Sequence, residues 1–185
     1  MITRLLILLF ATLKPVVAIV AFLAVLEEAS AGTPNGEGPS VNGTWQLADP
    51  QTDEKERLSA IERVIEKVPR LARSQASDAL LNATKPATKL TVEDRGERLL
   101  LAEQKQQFSL VLGAKPIEVD IEGAKVQLSC ERKNQLLVVT VNSSKAKRTT
   151  VYRPSSDGKT LVLDVTLEIP RFQATTRYKT IYALP

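Results

Sequence analysis

Histidine is absent from all 185 residues. That removes the commonest general base and the commonest metal ligand together. A Ser-His-Asp triad, a Cys-His pair and a His-Glu-x-x-His zinc site are all excluded, which leaves an enzyme only a lysine- or carboxylate-based site. Cysteine occurs once, at Cys130, so the chain forms no intrachain disulfide and no thiolate cluster for zinc. Cys130 shares a strand face with Val126 and Leu128 and reads as a small buried hydrophobe, with a reactive thiol as the alternative. A Gly-rich phosphate loop, a nucleotide signature and catalytically paired carboxylates are also missing. The expectation is a protein that is not an enzyme, with no cofactor and no metal.

Charge excludes a further class. Lysine and arginine number 25 against 21 acids, a net charge of +4. The two signs are mixed along the chain, which gives a mildly basic surface and no nucleic-acid footprint. Hydrophobic residues at 43% and charged ones at 25% are globular values, sufficient for one domain with a core.

What is present begins with an address. Residues Leu5 to Leu26 are apolar apart from Thr12, Lys14 and Pro15; Arg4 precedes them, and Glu27 and Glu28 follow. Ala29-Ser30-Ala31 matches the small-x-small cleavage pattern, so residues 1–31 are predicted to be a signal peptide. An uncleaved membrane anchor is the alternative, with Lys14 its awkward point. Without a lipobox cysteine, lipid attachment is excluded. Cleavage would remove two bases and two acids and leave the charge at +4. Residues 32–41 read as a flexible spacer. Either outcome places a domain of residues 42–185 outside the cytoplasm, periplasmic or secreted, touching a membrane only through its N-terminal segment.

Within that domain a helical insertion is predicted over 50–83. Asp49-Pro50 supplies a capping acid and a first-turn proline. Leu58, Ile61, Val64, Ile65, Val68, Leu71 and Ala72 then recur at helical spacing. Pro69 should kink or split the helix. From Lys89 the period becomes two. The clearest alternation is Leu161, Leu163, Val165, Leu167 and Ile169 against Thr160, Asp164, Thr166 and Glu168. Leu136 to Val141 is apolar on both faces, as for a strand covered on both sides or packing a helix. About ten short-turned strands predict a meander. Closure into an up-and-down antiparallel barrel would remove its exposed edges and leave room for a cavity.

The segment Asn42-Gly43-Thr44-Trp45-Gln46-Leu47 resembles the first strand of lipocalins and fatty-acid-binding proteins, the calycin superfamily. Phe108 to Gly113 and Ser156 to Leu163 are similar to that group as well. The resemblance implies that Gly43 and Trp45 form the structural floor of the barrel and that the helix pair is a lid. Intracellular members carry no export signal, so an exported lipocalin-like relative is the closer comparison. The resemblance further implies a ligand carboxylate held by arginines and a tyrosine, including an Arg-x-Tyr near the C-terminus. Here that place reads Thr180-Ile181-Tyr182, which keeps the tyrosine without the arginine. Arg153 matches the other arginine and points inward if Val151 does; a solvated arginine beside Pro154 is the alternative, since a buried charge without a partner is expensive.

The candidate ligand-binding residues are therefore Arg153, Tyr178 and Tyr182, the two tyrosines sharing one face of the last strand. Glu118, Asp120 and Glu122 form a carboxylate row, read as a solvated outer face, with calcium binding as its sharper alternative. Lys145, Lys147 and Arg148 form a short basic patch, read as solvated. The expected function is a monomeric, exported carrier of a small hydrophobic or amphipathic ligand. The alternative is an envelope structural or interaction module without a small ligand.

Overall fold

The computed structural model describes residues 39–103, 106–121 and 123–185. The predicted signal peptide or anchor, and the spacer up to residue 38, lie outside the described residues.

Strand β1 (Gly43–Leu47) leads into helix α1 (Pro50–Ile65). Asp49 caps α1 by accepting from the Thr52 amide at 3.1 Å. The amide-less Pro69 ends that run, since its ring cannot join the preceding hydrogen-bond ladder. A single 3-10 turn (Arg70–Ala72) follows, then α2 (Arg73–Ala83). Nine strands complete the chain: β2 (Lys89–Asp94), β3 (Arg98–Glu103), β4 (Gln106–Val111), β5 (Ile117–Ile121), β6 (Ala124–Lys133), β7 (Leu136–Asn142), β8 (Lys147–Pro154), β9 (Thr160–Ile169) and β10 (Ala174–Ala183).

All ten strands form one antiparallel sheet in the order β4-β3-β2-β1-β10-β9-β8-β7-β6-β5. The sequence is thus a meander whose first and last strands are neighbours. The sheet curls, and pairing stops at β4 and β5. One end of that seam is stitched: the Gly113 amide donates to Cys130 O at 2.9 Å, and Arg132 of β6 pairs with Asp94 of β2 at 2.6 Å. The expected ring closure is therefore not part of the strand pairing, because β4 and β5 do not pair with each other.

The period-two pattern sorts the side chains. Trp45, Leu90, Val92, Leu99, Leu101, Leu137, Leu161 and Leu163 turn inward and form the main core. Trp45 is 0% exposed, and its indole nitrogen donates to Val41 O at 3.0 Å, so the ring is buried without stranding its polar atom. Gly43 sits beside it at φ +147°, with Leu184 3.4 Å from where a Cβ would lie. Cys130 is buried on the face of Val126 and Leu128. Val138 is buried on the outer face of β7, between Glu131 and Val151 of the flanking strands.

Helix α1 corrects the predicted apolar stripe. Its buried positions are Asp53, Arg57, Ala60, Ile61 and Val64, while Leu58 is exposed and Leu71 is 95% exposed. Pro69 resets the helical phase, so Leu71 does not continue the stripe of α1. The apolar half of that stripe, Ile61 and Val64, packs on Leu167, Ile169 and Ala174. The polar half meets a sheet edge. Strand β1 pairs with β10 only at Gln46↔Ala183 and Leu47↔Tyr182, and α1 covers the edge beyond. Asp53 accepts from the Ile181 amide at 3.1 Å, and Arg63 donates to Arg177 O at 3.4 Å.

Burial pushes the Asp53 carboxyl above its ordinary range, against the lowering effect of the Ile181 amide. A raised carboxyl favours the protonated folded state. Its contribution is present below the unfolded value of about 4 and is lost as pH rises through the folded value. Asp53→Ala, which strands the Ile181 amide, should cost about 1–3 kcal/mol in denaturant unfolding. Asp53→Asn keeps an acceptor without a buried charge, so at pH 7 its unfolding midpoint should equal or exceed that of the wild type.

Candidate functional site

The inward faces of β8, β9 and β10 converge with β3 and the α2–β2 loop on an interior cavity of about 30 Å³. That is room for one or two waters. Its wall is mostly polar. Strand β8 contributes Arg148, Thr150 and Tyr152, β10 contributes Tyr178, Thr180 and Tyr182, and β3 contributes Glu103. Leu163 and Val165 of β9 supply the apolar part, and Thr84, Lys85, Pro86 and Ala87 form the cover.

The cover is fastened from two sides. Tyr182 donates to Ala87 O at 2.9 Å. Arg57 of α1 donates to Leu81 O at 3.0 Å and to the Thr84 hydroxyl at 3.2 Å. Arg57 is 6% exposed and its Nε has no partner among the described residues. Helix α1 thereby holds both the β10 edge and the loop that closes the cavity.

Arg148 is the least compensated group in the wall. It is half-buried, makes no hydrogen bond or ion pair among the described residues, and its Nε is sealed from water. Glu103 likewise has no partner among the described residues. The Tyr152 and Tyr178 hydroxyls make no hydrogen bond there either. A buried polar group without a partner costs free energy. Among the described residues, Arg148 Nε is the buried polar atom of this wall that lacks a partner.

The structure separates the predicted site residues. Tyr178 and Tyr182 both face the cavity. Arg153 does not: it lies on the outer face of β8 and pairs with Asp164 of β9 at 2.5 Å. The expected inward direction depended on Val151, but Tyr152 is the residue that turns in, and Arg153 turns out. The inward arginine is Arg148, which the sequence reading placed in a solvated basic patch. The signal was available: Arg148, Thr150 and Tyr152 share one strand face, and a tyrosine is better buried than an arginine beside proline. Glu118 pairs with Lys125 at 3.1 Å and Asp120 accepts from the Gly123 amide at 2.7 Å, as expected of an outer face, while Glu122 lies outside the described residues.

Beside the cavity the inner face is apolar. Val141 neighbours Arg148, Leu128 neighbours Val141, and Ile117 neighbours Leu128. Half-buried Val141, Val119, Phe108 and Leu112 pack against the core. This apolar path runs from Arg148 to the seam between β4 and β5.

Burial raises all three phenols: Tyr152 and Tyr182 well above the tyrosine range, with Glu103 adding to both, and Tyr178 upward, opposed by Arg148 and Arg57. Burial also pushes the Cys130 thiol up to about 11. Because the folded phenols hold their protons, their contribution to stability is complete below the unfolded pKa of about 10 and is lost above it. Tyrosinate absorbance should therefore stay flat until the fold gives way, and the three residues should ionise together with loss of circular dichroism. A separate early phenol step would show that a ring reaches water.

No family model matches the chain, and no curated protein matches it. Among solved structures, a secretory abundant heat soluble protein from Ramazzottius varieornatus aligns at 12% identity, covering 80% of this chain and 97% of that one with a TM-score of 0.52. The fatty-acid-binding protein of Manduca sexta aligns at 13% identity over 77% of this chain and 98% of that one, with a TM-score of 0.49. Secretory abundant heat soluble protein 4 from Ramazzottius varieornatus aligns at 14% identity over 82% and 99%, with a TM-score of 0.48. The chain has the calycin-type fold: a curled ten-stranded antiparallel sheet with a helix pair after its first strand.

Proposed function

We propose that this protein is a non-enzymatic carrier of a small amphipathic molecule with an acidic group. The observation that carries the proposal is the unpaired, half-buried Arg148, Nε sealed, in a cavity with two free phenols. A carboxylate there would accept charge-assisted hydrogen bonds from the guanidinium and further ones from Tyr152 and Tyr178. The apolar tail would follow Val141, Val119 and Phe108 into the seam, where separation of β4 and β5 admits it without breaking strand pairs. In the loaded state the tail completes the ring between these strands, which gives the closed barrel.

A second reading is an interaction module without a small ligand, and the cavity of about 30 Å³ favours it. Arg148→Leu distinguishes the two. For a carrier, the substitution should weaken binding of a medium-chain carboxylate at least about tenfold, the value of one charge-assisted hydrogen bond. It should leave binding of the matching alcohol unchanged. In both readings the free protein should gain stability, because an uncompensated charge has gone. Calorimetric titration that detects no carboxylate binding by the wild type would leave the interaction module.

We further propose that the domain works outside the cytoplasm, delivered by residues 1–31. Intact mass of the protein recovered from its own envelope fraction should correspond to a chain beginning at Gly32. A mass retaining residue 1 would replace the cleaved signal with an anchor.

A further inference from the structure

The ligand's acidic group answers Arg148, but Glu103 stands in the same wall with no counter-charge among the described residues. It belongs to the inward row of β3 with Leu99 and Leu101, two positions from Leu101 along the strand. The cation nearest in kind, Lys85, lies in the cavity's cover and is exposed, so water compensates it. Glu103 and Arg148 are both half-buried and are not ion-paired with each other. Both act electrostatically on Tyr152, Tyr178 and Tyr182, in opposite directions, which places them around one phenol cluster.

Two opposite charges line one cavity wall, and neither has an ion partner among the described residues; a partner that excluded water there would strengthen both interactions. A ligand bearing only a carboxylate satisfies Arg148 and brings a second anion toward Glu103. A ligand bearing an ammonium beside its carboxylate satisfies both. The free volume of about 30 Å³ limits the separation of those charges. The ammonium and carboxylate must sit on one compact head, as in an α-amino acid, and not at the ends of a long polar chain.

We propose that the cavity selects a compact zwitterionic head, with its ammonium at Glu103 and its carboxylate at Arg148, on an apolar tail. This inference rests on the carrier reading and names the ligand class for that same site. Thr150 and Thr180, buried beside the tyrosines, supply neutral hydroxyls that tolerate either charge. The apolar seam takes the tail as before.

The test is calorimetric titration of the whole mature domain with octanoate, octylamine and 2-aminooctanoate, three probes of one chain length. The zwitterion should bind at least tenfold more tightly than octanoate, and octylamine should bind more weakly than the zwitterion. Glu103→Gln, nearly isosteric, should erase the preference by weakening 2-aminooctanoate while leaving octanoate equal or tighter. Octanoate binding as tightly as 2-aminooctanoate in the wild type overturns the inference and leaves the carrier reading standing. Binding of none of the three overturns both. The wild-type comparison alone decides the matter if Glu103→Gln fails to fold.

Discussion

The rest of the structure depends on a short strand junction. Strand β1 meets β10 over two residue pairs, which joins the first and last turns of the meander but leaves most of the β10 edge without a strand. Backbone groups on such an edge need partners or exposure. Helix α1 provides them with side chains: Asp53 takes the Ile181 amide and Arg63 reaches Arg177 O. Because α1 must lie along this edge, its buried stripe is polar at one end and apolar at the other. The same placement carries Arg57 to Thr84 and Leu81, so the helix that seals the sheet also fixes the cover of the cavity.

From that arrangement follows a division of the interior. Around Trp45 the curled sheet is packed with leucine and valine, and the indole nitrogen is matched by Val41 O. At the helix end the wall is made largely of phenols, threonines, one carboxylate and one guanidinium, and the guanidinium Nε is unmatched among the described residues. Stability alone would favour replacing these groups with apolar ones of equal volume. Their presence beside a filled core is what the carrier proposal rests on. In the proposed carrier, the small cavity of about 30 Å³ would take a polar head and the unpaired seam between β4 and β5 a tail.

Much of the fold was legible in the sequence, for local reasons. Asp49-Pro50 and Pro69 act on their own backbone, so the start of α1 and its separation from α2 could be read directly. The alternation of Leu161 to Ile169 marked β9, one of three ten-residue strands, and Gly43 and Trp45 carried the resemblance that the fold shares. The failures are tertiary. Leu71 had the right spacing but follows a phase break. Asp53 and Arg57 look like surface charges and are buried, because Asp53 covers the edge of a strand over a hundred residues away and Arg57 ties down the end of α2. Arg153 and Arg148 differ by an odd number of positions, so a single choice of face for β8 exchanged them. Ring closure could not be read, because β4 and β5 carry ordinary strand patterns up to the seam.

The central claim is that Arg148 is the ligand-facing charge of this cavity. Side-chain Nε–Hε resonances of the arginines, followed by nuclear magnetic resonance during titration with 2-aminooctanoate, test it most directly. The account predicts that Arg148 shifts and saturates, while Arg153, paired with Asp164 on the outer face, does not move. Movement of Arg153 and other surface arginines with Arg148 unchanged would contradict it.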